Sequence, residues 1–190
     1  PVYKVKVGVD NDIEMVAALR QHTDAVLRVD ANAGWTLEQA LQKIPLLKEL
    51  GVEMVEQPLA KDNWEGMKVL YEKSPLPLYA DEACVFEADV EKCFLHFHGI
   101  NIKLTKCSGI TPAKRMIAKA RELNMKVMVG CMNESSVGTA AIAQLAPLLD
   151  VVDMDGPLLL SEDIAAGVGF DNGKIIYTEG PGLGIQITPF

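Results

Sequence analysis

Charged residues recur along this chain at a nearly constant interval, each at the end of a short apolar stretch, and that interval leaves few folds open. From Lys6 it is 24 residues to Asp30, 26 more to Glu56, 25 to Asp81 and 22 to Lys103. One strand, a returning helix and two turns consume about that much chain, so each step reads as one βα unit. The hydrophobic pattern predicts strands over Val2–Val7, Val26–Val29, Glu53–Val55, Leu76–Ala80, Gly99–Leu104, Lys126–Gly130 and Val151–Met154. Helices are expected between them, over Asp12–His22, Thr36–Leu50, Trp64–Lys73, Ala88–Phe94, Thr111–Leu123 and Ser136–Leu149. Thr36 and Gln39 have the spacing of a capping box, Leu37, Leu41, Ile44 and Leu47 repeat at helical intervals, and Gly51 follows as a stop.

Such units imply parallel strands with right-handed crossovers, in an open doubly wound sheet or a closed (β/α)₈ barrel. The even spacing favours the barrel. So does the scatter of charged residues over many strand ends, since an open sheet gathers its functional groups at one switch point. The expected fold is therefore an α/β, TIM-like (β/α)₈ barrel domain over residues 1–190. Seven strands are one short of eight and the chain opens almost inside a strand, so a fragment lacking its first strand is expected. Beyond Asp155 the chain is richer in glycine and predicts turns with a short hairpin around Lys174–Tyr177.

A hydrophobic content of 49% in 190 residues supports a folded core and disfavours disorder. The net charge of −8 argues against nucleic acid or an anionic membrane as partner. It leaves room for an anionic small molecule, because a metal and lysines invert the local field. No apolar run approaches the roughly 18 residues of a membrane span. Cys84, Cys93, Cys107 and Cys131 form no Cys-x-x-Cys pair and read as reduced thiols of a cytoplasmic protein. Homo-oligomerisation is left open.

Taken singly, the charged residues have ordinary explanations. Lys4 and Lys6 read as a solvated strand edge, Asp30 and Asp81 as turn or helix caps, and Glu56 as a loop acid. Their shared position at strand ends makes them a set. Lys103, inside Ile-Asn-Ile-Lys-Leu, is costly to bury without a task. Counted around an eight-stranded ring, Lys6 and Lys103 stand half a turn apart, with Asp30, Glu56 and Asp81 on the arc between them. Asp153 and Asp155 are expected opposite that arc, and Cys131 to Glu134 along the mouth, where Cys131 and Met132 read equally well as packing. Three carboxylates without histidine or thiolate suit Mg²⁺ rather than zinc. A metal flanked by two lysines suits removal of a proton next to a carboxylate: one lysine takes it and the opposite lysine returns one to the other face. The paired aspartates would draw a cationic end, so a dipeptide with a free ammonium fits. Asn32 and Gln57 are candidate supports for the metal ligands. His96 and His98 read as part of a half-exposed segment, and the glycines at 180, 182 and 184 do not form a dinucleotide-binding pattern.

The segments Tyr3-Lys4-Val5-Lys6, Arg28-Val29-Asp30-Ala31-Asn32, Val55-Glu56-Gln57-Pro58, Ala80-Asp81-Glu82 and Asn101-Ile102-Lys103-Leu104 resemble the enolase superfamily, muconate-lactonising subgroup. Asp153-Met154-Asp155-Gly156-Pro157-Leu158 is similar to the Asp-x-Asp motif of the dipeptide epimerases (L-Ala-D/L-Glu epimerase type). The resemblance implies Lys6 and Lys103 as the acid/base pair, Asp30, Glu56 and Asp81 as Mg²⁺ ligands, and Lys4 as a partner of the substrate carboxylate. It implies Asp153 and Asp155 as the ammonium site. It also implies an N-terminal capping domain and a first barrel strand, both expected outside residues 1–190. Two alternatives stay open: an N-acylamino acid racemase or o-succinylbenzoate synthase of the same subgroup, and a non-catalytic binding barrel.

Overall fold

The structure, a computed structural model, describes residues 2–188. The chain divides into two compact units: one runs up to Cys84 and adds Ala88–Ile100, and the other comprises Val85–Glu87 and the chain from Asn101 onward.

In the first unit, strands β1 (Val2–Lys6), β2 (Val26–Asp30), β3 (Val52–Glu56) and β4 (Leu78–Ala80) alternate with helices α1 (Asp12–Arg20), α2 (Leu37–Glu49), α3 (Trp64–Lys73) and α4 (Glu87–Cys93). The start of β5 (Gly99–Ile102) completes it. Neighbouring strands pair in parallel. The register sets Lys6 opposite Asp30 and Asp30 opposite Glu56. Paired residues of a parallel sheet project to the same face, so this register gathers the three charges. The other face and the helices make the core: Leu27, Val29, Val55, Leu78 and Ile100 of the strands and Val16, Ile44, Leu47, Met67 and Leu70 of the helices are all buried. Strands covered on both sides read as nearly continuous apolar runs, which is why they stand out in the sequence.

The capping box of α2 forms as expected. Gln39 N–H donates to Thr36 Oγ1 at 3.2 Å and Thr36 N–H to Gln39 Oε1 at 2.9 Å. Gly51, at φ +74°, then turns the chain into β3. Helix α1 stops at Arg20 rather than His22, because the last turn tightens and His22 N–H bonds Leu19 O at 3.0 Å. Arg20 is the main tie at that end. Its guanidinium donates to Leu50 O (2.9 Å), Thr23 O (3.0 Å), Ala25 O (2.7 Å) and Gly51 O (3.3 Å), the carbonyls just before β2 and β3.

In the second unit, β6 (Lys126–Gly130) and β7 (Val151–Asp153) pair in parallel, with Gly130 opposite Asp153. Helix α6 (Ile110–Glu122) packs on β6, and Met116, Ile117 and Ala120 of α6, Ile142 of α7 (Ser136–Leu145) and Val127, Met128 and Val129 of β6 are all buried. The expected strand over Gly99–Leu104 ends at Ile102, because Lys103 already caps the short helix α5 (Leu104–Cys107). The expected hairpin forms between β9 (Gly169–Asp171) and β10 (Lys174–Ile176), turning at Asn172-Gly173, both at positive φ. A second antiparallel pair joins β8 (Ala165–Ala166) to β11 (Gln186–Ile187). All four cysteines are free, and Cys84, Cys93 and Cys107 are buried. Among the described residues no helix is long and apolar enough to cross a membrane.

Candidate active site

The first unit brings five of the expected residues together. One ligand oxygen each from Asp30, Glu56 and Asp81 lies within 4.8 Å of the other two, and all three side chains are buried. Three carboxylates held so closely repel one another, and cations answer that charge. Lys4 Nζ sits 3.3 Å from Glu56 Oε2 and 3.8 Å from Asp30 Oδ2, and Lys6 Nζ donates to Asp30 Oδ2 at 2.6 Å. The lysines are not equivalent: Lys4 is largely covered, while the Lys6 side chain is 61% exposed and open to a small molecule. The donor set is all oxygen, with neither imidazole nor thiolate, and so fits a small hard cation such as Mg²⁺.

The expected supports separate. Gln57 is wholly buried, and its Oε1 accepts from Asp81 N–H at 3.0 Å and Ala83 N–H at 3.1 Å while its Nε2 donates to Leu59 O at 2.8 Å. One amide thus fixes the exit of β3, carrying Glu56, against the exit of β4, carrying Asp81. Asn32 acts through its backbone, its N–H donating to Asp30 Oδ1 at 3.0 Å, and its amide lies 3.4 Å from Glu82 Oε1.

The second unit holds the remaining expected residues. Lys103 is 94% buried, and its Nζ makes a long contact of 3.5 Å to Cys131 O. Ligand atoms of Cys131, Asp153 and Asp155 lie within 4.8 Å of one another, and the thiol sits 3.5 Å from Asp155 Oδ1. Burial and the Asp153 and Asp155 charges push the Cys131 thiol up. Met132 is exposed beside it. Gly156 lets the chain that follows β7 pass close to this loop: a Cβ there would lie 3.1 Å from Glu134 N and 3.2 Å from Met132 O.

Glu134 closes the segment expected along the mouth, and Asp12 escaped the sequence reading. Glu134 is buried and accepts from Met132 N–H at 3.4 Å, bracing the loop of Cys131 and Met132. Asp12 is also fully buried and collects donors from three segments. Its only sequence signal is an acid in the first turn of a helix, which is commonplace.

Comparison with known proteins follows the same lines. The family described as enolase C-terminal domain-like matches residues 1–190. An L-Ala-D/L-amino acid epimerase of Flavobacterium johnsoniae is 54% identical over 98% of this chain and 56% of its own length. The substrate-liganded L-Ala-D/L-Glu epimerase of Bacillus subtilis superposes with a TM-score of 0.92 at 33% identity, covering 97% of this chain and 55% of that one. A dipeptide epimerase of Cytophaga hutchinsonii, complexed with Mg and the dipeptide D-Ala-L-Val, gives 0.92 at 30% identity over 98% and 54%. These matches carry the barrel class expected from the even spacing. The chain spans about half the length of the curated relatives it matches.

Proposed function

The chain belongs to the enolase C-terminal domain-like family, and from that premise we propose that residues 1–190 act as the barrel domain of a Mg²⁺-dependent dipeptide epimerase. The observation that carries the reading is the buried trio Asp30, Glu56 and Asp81 with Lys4 and Lys6 at its edge. An amino acid α-proton is very weakly acidic, because its loss adds a second negative charge to the carboxylate. Asp30, Glu56 and Asp81 would hold Mg²⁺, and the bound ion would supply the positive charge that opposes it.

The chain's own residues do the rest. Lys4 pairs with the substrate carboxylate. The neutral Lys6 amine accepts the α-proton, and the electron pair of the C–H bond moves into the carboxylate. Lys103, as the ammonium, delivers a proton to the opposite face of the same carbon, and the reverse reaction exchanges the two roles. Asp153 and Asp155 hold the ammonium of the dipeptide, with Cys131 and Met132 beside it. The four free cysteines support a cytoplasmic setting.

The test is Lys6→Ala and Lys103→Ala in the intact protein. Each is expected to abolish epimerisation while Mg²⁺ still binds, as read by calorimetry with the metal alone. An undiminished rate in either variant contradicts the two-lysine reading.

A further inference from the structure

Lys6 leaves its strand only two residues before the chain turns, and its reach toward Asp30 depends on where that turn is held. Strand β2 is well anchored. Beyond Asp30, Ala31 N–H bonds Glu56 O at 3.0 Å, Ala33 N–H bonds Gln57 O at 2.8 Å and Trp35 N–H bonds Pro58 O at 3.1 Å. The exit of β1 has one comparable backbone bond, Val7 N–H to Asp30 O at 2.9 Å. Among the described residues, β1 pairs with β2 alone.

What completes the hold is the carboxylate of Asp12. Its Oδ1 accepts from Gly8 N–H at 2.9 Å and Val9 N–H at 3.0 Å, the residues that follow Val7. Its Oδ2 accepts from Trp35 Nε1 at 2.7 Å and Lys43 Nζ at 2.7 Å, on the loop after β2 and on α2, and the same ammonium donates to Val9 O at 2.6 Å. Burial opposes its ionisation, but the hydrogen bonds from Lys43, Val9, Trp35 and Gly8 prevail and hold its carboxyl below the usual range. Under this clamp the two loops touch glycine to glycine. A Cβ on Gly8 would lie 2.5 Å from Ala31 O, and one on Gly34 would lie 2.9 Å from Gly8 Cα. One oxygen of Asp12 therefore grips the β1 exit, and the other grips the already anchored β2 exit.

We propose that Asp12 is a positioning residue that fixes the Lys6 amine relative to Asp30, and so serves proton transfer on one face of the substrate carbon only. The proposal rests on the two-lysine reading above. Lys103 lies on another segment that Asp12 does not touch, so loosening the clamp handicaps one lysine of the pair.

Asp12→Asn is the incisive change. It is isosteric, but only one of its two terminal atoms accepts hydrogen bonds. Either the amide nitrogen faces the Trp35 and Lys43 donors, or it faces Gly8 and Val9. One half of the clamp must open.

The experiment follows exchange of the α-proton of the epimerisable residue in D₂O by NMR, starting separately from each of the two epimers of a dipeptide, with the intact protein. Mg²⁺ affinity is measured alongside by calorimetry without substrate. In Asp12→Asn, exchange from the epimer served by Lys6 is expected to slow about 100-fold, the scale of a displacement near 1 Å. Exchange from the other epimer should change by no more than about threefold, with Mg²⁺ affinity nearly constant. Trp35→Phe, which removes one donor to Oδ2 and leaves the carboxylate in place, is expected to show the same asymmetry more weakly, and it carries the test should Asp12→Asn not fold. Equal slowing of both epimers would reduce Asp12 to general stability, and unchanged rates would remove it from the reaction; either overturns the proposal. Absence of exchange in the unaltered protein would overturn the proposed function itself.

Discussion

Removing a buried carboxylate that has two lysine partners ordinarily costs about 3–5 kcal/mol, because it strands the opposite charge. For Asp30→Asn in metal-free protein we expect the reverse. The ligand oxygens of Glu56 and Asp81 lie within 4.8 Å of that of Asp30, so with an effective dielectric of about 20 each pair repels by at least about 3.5 kcal/mol, or about 7 kcal/mol together. Against this stands the attraction of Lys4, which at 3.8 Å is worth about 4 kcal/mol on the same scale. The closer Lys6, at 2.6 Å, has a side chain 61% exposed, so water screens it and it contributes about 1 kcal/mol. The amide oxygen of the variant still accepts from Asn32 N–H. The balance favours Asp30→Asn by about 2 kcal/mol, a rise in melting temperature of about 4–8 °C for a domain of this size. In Mg²⁺ the order inverts. The unaltered protein gains about 2.7 kcal/mol at 100 times its Kd, and the variant, short of a ligand, gains little. Thermal melts in chelator and in Mg²⁺ read both arms. Destabilisation by 3–5 kcal/mol in chelator would refute the crowding argument, and a full Mg²⁺ response in the variant would refute Asp30 as a ligand.

Two further predictions concern charge elsewhere. Asp153→Asn is expected to raise KM for dipeptides with a free N-terminus at least tenfold and to leave N-acylated substrates nearly unchanged; equal effects on both would remove the ammonium site and favour an N-acylamino acid racemase. His98 accepts from Leu78 N–H at 3.1 Å through Nδ1 and stacks on Tyr71, and burial lowers its pKa below 6.5. The unfolded chain therefore binds this proton more readily. Stability should fall as pH drops below 6.5, by at most about 1.4 kcal/mol per pH unit, until the folded imidazole also protonates. Urea titrations between pH 5 and 7.5 should show this slope and lose it in His98→Asn; the same slope in both proteins would assign it to another group.

What the sequence revealed and what it hid have a common physical cause. The grouping of Asp30, Glu56 and Asp81 was legible because a charge at the end of a buried apolar stretch violates the surrounding pattern, and a repeated violation at one period marks one end of one sheet. The capping box of α2 and the Asn172-Gly173 turn were legible because their chemistry is local. Asp12 was not, since its four donors come from Gly8, Val9, Trp35 and Lys43, and only folding brings the last two near. The short helix after Lys103 was hidden in an apolar run that suits a strand equally well. Cys131 looked like packing or pocket in equal measure, and only its distance to Asp155 places it beside the acidic pair.

Arg20 shows how the labour is divided along the strands. Its fork gathers carbonyls from the segments entering β2 and β3, whereas Asp30 and Glu56 stand where those strands leave. A lesion at the fork would therefore be noticed by chaperones and proteases first: on the proposed function, fewer molecules per cell, each with its usual rate. Inherited variation at the two ends should leave different signatures, scarcity at one and sluggishness at the other.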